Sequence, residues 1–146
     1  MNATHWHLVI NHLSIVFPIV GVIVMVIGLL SKSEAVKRTA YIIFILGGLA
    51  SIAAVTTGES AEEVLKNISI TTENYIEIHE ESAEVFSFLS YILGGFSIFG
   101  LWATLTQKTF SNIVAVIILF FSLFVIFFGA QSGTTGGEIM HSEIRK

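Results

Sequence analysis

Cysteine is absent from the 146 residues, which removes disulfides, thiolate metal sites, c-type haem attachment and thiol nucleophiles together. Charge is nearly as scarce. Only 12% of residues are charged, and the net charge of -4 leaves no basic stripe with which to bind nucleic acid. Proline occurs once, at Pro18, so little in the chain would interrupt long helices. What remains is oil: 53% of residues are hydrophobic and the mean hydropathy is +0.82. Too little polar surface is left to give soluble helices a hydrophilic face.

Four apolar runs stand out, Leu8 to Leu30, Ala40 to Thr57, Val85 to Leu105 and Ile113 to Gln131. Each approaches the roughly 20 residues that an α-helix needs to cross about 30 Å of hydrocarbon. The first has no basic residue before it and no small-x-small site after it, so it reads as a retained span rather than a signal peptide. Short first and third connections force antiparallel neighbours. The prediction is one all-α domain, residues 1–146, folded as an integral membrane up-down four-helix bundle in contact with the lipid bilayer.

Basic residues set the orientation. Lys32, Lys37 and Arg38 mark the first connection and Lys108 the third, while the middle connection carries Glu59, Glu62, Glu63, Glu73, Glu77, Glu80, Glu81 and Glu84 against Lys66. Positive residues mark the cytoplasmic side. Both termini and the middle connection are thus predicted on the outer, periplasmic side of a bacterial inner membrane; Arg145 and Lys146 depart from the rule but lie well past the last span.

Small residues recur in register: Ser14, Gly21 and Gly28; Gly47 and Ser51, with Ala50 and Ala54; Ser87, Gly94 and Gly95; Ala115, Ser122 and Gly129. They let backbones approach where lipid offers no hydrophobic push, and they serve a homo-oligomer as well as a bundle. The helix-four phenylalanines (Phe120, Phe121, Phe124, Phe127, Phe128) fill the remaining core or meet lipid. Pro18 predicts a kink. Gly58 is read as the cap that closes helix two, Ser60 with Glu63 as the capping box of a short outer helix to about Lys66, and Thr71 or Thr72 as the cap of a helix running into the third span. Helix two ends Thr56-Thr57-Gly58-Glu59 and helix four ends Thr134-Thr135-Gly136-Gly137-Glu138, an echo that two related hairpins or ordinary capping would both explain.

All five histidines fall toward the outer side. His12 lies inside an apolar run, where ionisable residues usually face a bundle interior or a cavity, although a bond to a backbone carbonyl or to Asn11 would also account for it. His79 sits in the acidic stretch from Thr72 to Phe86, and Ala83, four residues on, leaves room for a planar ring beside it. His141 follows Gly133, Gly136 and Gly137, a stretch able to fold back over the bundle mouth. His5 and His7 flank Trp6, an interfacial anchor, and are held in reserve. Glu84 and Glu138 are the carboxylates nearest the predicted interface. Like charges four apart (Glu77 and Glu81, Glu80 and Glu84) cost about a few tenths of a kcal/mol per pair, which points to a solvated face or to a held cation.

The stretches Asn11 to Ile19, His79 at the head of helix three, and Gly136 to Ile144 resemble the small four-span bacterial membrane proteins grouped as the domain of unknown function 2231. The resemblance covers nearly the whole chain, and the acidic flank of His79 departs from it. It implies a b-type haem beside or within cytochrome systems, with His12, His79 and His141 as the positions carried over. Two of these three would ligate the iron for single-electron transfer with a membrane or periplasmic redox partner, and Glu138 or Glu84 would tune the charge; this is an electron carrier rather than a stand-alone enzyme. Two other readings stand beside it: a transition-metal ion on histidine and carboxylate, where His5, His7 and Glu59 would matter more, and a structural subunit packed against a respiratory complex. A di-iron carboxylate bundle is disfavoured because Ile76, not Glu, stands three residues before His79.

Overall fold

In a computed structural model, which describes residues 3–66 and 73–141, the chain forms four helices and, among the described residues, no strand. They are α1 (Ala3–Leu30), α2 (Glu34–Lys66), α3 (Glu73–Leu105) and α4 (Ser111–Met140). All four are long and apolar enough to cross a membrane, the lengths and compositions of a multi-pass protein. Each packs on its neighbours in a ring, α1 on α2, α2 on α3, α3 on α4 and α4 on α1. The directions follow from which residues meet. Gly28 faces Lys37 and Gly21 faces Phe44, whereas Gly58 faces His7 at the other end; Gly100 meets Tyr41 and Ile118, and Gly129 meets Phe86. Every sequential pair is therefore antiparallel, and the bundle runs up-down-up-down.

The α1–α2 and α3–α4 connections close at one end, the loop end, with the same turn. Lys32 and Gln107 take φ of 51° and 52°, and the next N–H reaches back to the helix, Ser33 to Gly28 O and Lys108 to Ala103 O, each at 3.0 Å. A left-handed residue with a six-to-one bond is how a helix satisfies its last carbonyls. The α2–α3 connection and the start of α1 lie at the opposite end, the histidine end.

The interior is inverted relative to a soluble protein. Eight serines are buried, among them Ser14, Ser51, Ser97 and Ser122, while Phe120, Ile113, Phe88 and Ile98 are 60–68% exposed. Small side chains hold the helices close and large ones face outward, the arrangement lipid favours. The predicted stripes are at the interfaces: Gly21, Gly28, Gly47, Ala115, Ser122 and Gly129 are all buried, whereas Gly95 is exposed. Phe120, Phe124 and Phe127 face out; Phe121 and Phe128 pack on the core.

Two expectations need correction. Gly58 does not close α2, which continues through it to Lys66, so the segment from Ser60 to Lys66 is part of α2 rather than a separate outer helix. The helix can continue because Gly58 is used for closeness rather than for a left-handed turn: a Cβ there would lie 3.2 Å from His7 Cε1. Pro18 stands inside α1, its ring buried against Gly47, where a Cβ would meet Pro18 Cδ at 3.2 Å. The suggested Thr71 or Thr72 cap lies outside the described residues, as do Arg145 and Lys146.

At the loop end Lys37 is 1% exposed, with Nζ donating to Glu34 Oε1 at 2.7 Å and to Asn112 Oδ1 on α4. A buried ammonium is tolerated only while its partners stay, and a hydrogen bond to a charged group is typically worth about 1.5–3 kcal/mol. Asn112→Leu is thus expected to lower the unfolding temperature in detergent, whereas Lys37→Met, which removes the charge itself, should be near neutral. Equal losses in the two variants would show that the methylene stem, not the ammonium, matters at this position.

Candidate ligand site at the histidine end

The two hairpins meet their histidines in the same way. In the α1–α2 hairpin, His7 Nδ1 lies 3.1 Å from Ala54 O and 3.3 Å from Thr57 Oγ1. In the α3–α4 hairpin, His79 Nδ1 lies 3.1 Å from Thr135 Oγ1, and the ring also faces the Ser132 carbonyl. Ala54 and Thr57 on α2 thus stand where Ser132 and Thr135 stand on α4. Three residues apart on a helix is one face, so each histidine docks on one turn of its partner helix.

The bonds fix which nitrogen carries the proton. A carbonyl only accepts, so His7 Nδ1 must donate to Ala54 O. The Thr57 hydroxyl donates to Ala53 O at 2.8 Å and offers its lone pairs to the ring. Thr135 repeats this, donating to Ser132 O at 3.1 Å and receiving the His79 Nδ1 proton; Ser82 Oγ, 2.8 Å away, shares the same oxygen. In the neutral form of each ring this places the proton on Nδ1 and leaves a lone pair on Nε2. An imidazole whose Nδ1–H is held by a carbonyl or hydroxyl is the form oriented for coordination through Nε2.

Each ring sits on a glycine. A Cβ at Gly58 would stand 3.2 Å from His7 Cε1, and one at Gly136 would stand 3.0 Å from His79 Cε1 and 3.5 Å from Nε2. The two rings are half-buried and within electrostatic reach of one another. Ser132, 1% exposed and one turn before Gly136, has a hydroxyl with no hydrogen-bond partner. Beside His79, a groove of about 420 Å³ is lined by Ser82, Phe127, Gln131 and Thr135 among others.

The residues singled out by sequence are distributed unevenly about this site. His79 is in it. His12 is on the exposed face of α1, where Nδ1 donates to Leu8 O of its own helix at 2.6 Å; it is not brought to His79. His141 is exposed at the C-terminal cap of α4, its N–H donating to Gly137 O. Glu84 is exposed and Glu138 half-buried. Ala83, expected to leave room beside His79, is half-buried. The side chains of His5 and Glu59 lie outside the described residues. His7, which the sequence holds in reserve beside Trp6 and assigns only to the metal-ion reading, is in the site; the signal that points to it is the Thr-Gly echo, whose two copies receive the rings of His7 and His79. No family model, curated protein or solved structure matches this chain.

Proposed function

We propose that His7 and His79 hold a b-type haem between the two hairpins, and that the protein passes single electrons in a bacterial inner membrane with the histidine end toward the periplasm. The observation that carries this reading is the matched pair of Nε2 lone pairs, each presented by a ring whose Nδ1 proton is already committed. Three further features suit the group. Gly58 and Gly136 are cradles that a Cβ would fill, the unpartnered Ser132 hydroxyl is buried beside them, and the two imidazoles would hold the iron.

When bound, such a haem supplies a one-electron couple with no open position for substrate. The chain does the rest. Thr57 and Thr135 hold the two rings in place through Nδ1. The exposed carboxylates Glu77, Glu81 and Glu84 along α3 offer an acidic face to a basic redox partner. The basic Lys32, Arg38 and Lys108 at the loop end support the cytoplasmic assignment of that end.

The test is an absorption spectrum of the protein purified in mild detergent from cells supplied with haem, as isolated and after dithionite. A Soret band with resolved α and β bands on reduction is the expected result. A featureless spectrum would overturn the proposal.

A further inference from the structure

Three hydroxyls buried in the bundle make no hydrogen bond, Ser132 on α4, Ser51 on α2 and Ser97 on α3, and two more, Tyr41 on α2 and Thr104 on α3, have only each other. All are at most 1% exposed. Unpartnered buried hydroxyls are uncommon in any protein and carry a cost in an apolar interior, so each calls for a partner. Their order along the bundle is what distinguishes them. Ser132 lies one turn from the histidine pair. Ser51 follows on α2, in the segment that faces Ser90 and Gly94 across Gly48. Ser97 stands one turn before Gly100, and Gly100 packs against the Tyr41 ring. The Tyr41 hydroxyl is beside Thr104, whose carbonyl accepts from Arg38 Nη2 at 3.4 Å. Lys37 and its partners Glu34 and Asn112 complete the loop end. Between these stand buried serines with local bonds, Ser90 to Phe86 O and Ser122 to Leu119 O, whose oxygens keep lone pairs free to accept.

We propose that ordered water completes these hydroxyls and that the resulting file conducts protons between the loop end and the His7–His79 pair. Buried water typically makes about three hydrogen bonds to otherwise unsatisfied groups, and hydroxyls on three helices supply them. A serine, a tyrosine or a water each accepts a proton on oxygen while releasing another, so the file relays a proton with no net change in any member. At the loop end the file opens beside a cavity of about 260 Å³ lined by Glu34, Thr104, Gln107, Lys108 and Ser111. At the other end the Thr135, Ser82 and His79 bonds continue it to the surface. A scaffold role alone would be met by alanine at these positions, which packs as closely without an unpaired oxygen.

The inference stands apart from the haem reading, and its experiment uses no haem signal. The protein is reconstituted in liposomes loaded with a pH-sensitive dye, and a potassium gradient with valinomycin drives protons inward. Acidification faster than in protein-free vesicles is expected, falling at least tenfold in Ser97→Ala. Thr106→Ala, at the exposed loop end, should leave it unchanged. The unfolding temperature of Ser97→Ala supplies a second readout, because a dry orphaned hydroxyl destabilises and its removal would raise that temperature. Flux no greater than in protein-free vesicles, or undiminished flux in Ser97→Ala, or a raised unfolding temperature in that variant, would each overturn the file.

Discussion

His7→Ala and His79→Ala are each expected to abolish the reduced α and β bands, while His12→Ala keeps them. The expectation follows from where the three rings point. His7 and His79 are held through Nδ1 by the opposite helix of their own hairpin, whereas His12 is bonded to its own α1 and exposed. Removal of one imidazole would leave the iron one ligand short, so a residual high-spin spectrum in either variant would still support the assignment. Thr135→Val refines it: the ring keeps the Ser132 carbonyl but loses a hydroxyl partner, and the bands should shift or weaken rather than vanish. Bands unchanged in His7→Ala would show that another residue ligates.

The fold was largely legible because its signals are coarse. Runs of about 20 apolar residues and short basic connections determine helix number and direction without any knowledge of packing. Small residues in register mark the interfaces for the same reason, since only they permit close approach. The site was half legible. His79 could be picked out as a polar residue at the head of a span, but His12 looks equally good by that criterion. What separates His7 from His12 is angular position on α1, five residues or about 140° apart at 100° per residue. The small-residue stripe of α1 does carry that angle: His7 lies seven residues before Ser14, in register with Gly21 and Gly28 on the buried face, whereas His12 lies off it. The partner helices carry a second mark, in Thr57-Gly58 and Thr135-Gly136. Gly58 misled for a related reason: glycine after a long helix usually means a stop, and only the His7 ring against it shows the other use.

Gly100→Ala should be among the most destabilising single changes in the bundle, and Gly95→Ala, five residues earlier on the same helix, should stabilise. Both exchange glycine for alanine inside α3, so both gain about 0.8–1.0 kcal/mol in helix propensity. The surroundings decide the sign. A Cβ at Gly95 meets nothing within 4 Å. One at Gly100 would stand 2.5 Å from Tyr41 Cε1, 2.7 Å from Cζ and 2.9 Å from Ile118 Cδ1. Ile118 can turn its terminal methyl aside, but Tyr41 is fully buried and its ring cannot move without opening the α2–α3 contact. Overpacking of this kind costs about 1–3 kcal/mol, and here more of that range applies because the clash is with a rigid ring rather than a flexible tip. Thermal unfolding in detergent, followed by circular dichroism, should place the two variants on opposite sides of the parent. A Gly100→Ala protein as stable as the parent would mean that α2 and α3 sit farther apart at Tyr41 than described. The Tyr41–Thr104 segment of the hydroxyl file would then lose its geometry as well, so this substitution tests the packing on which the proton path depends.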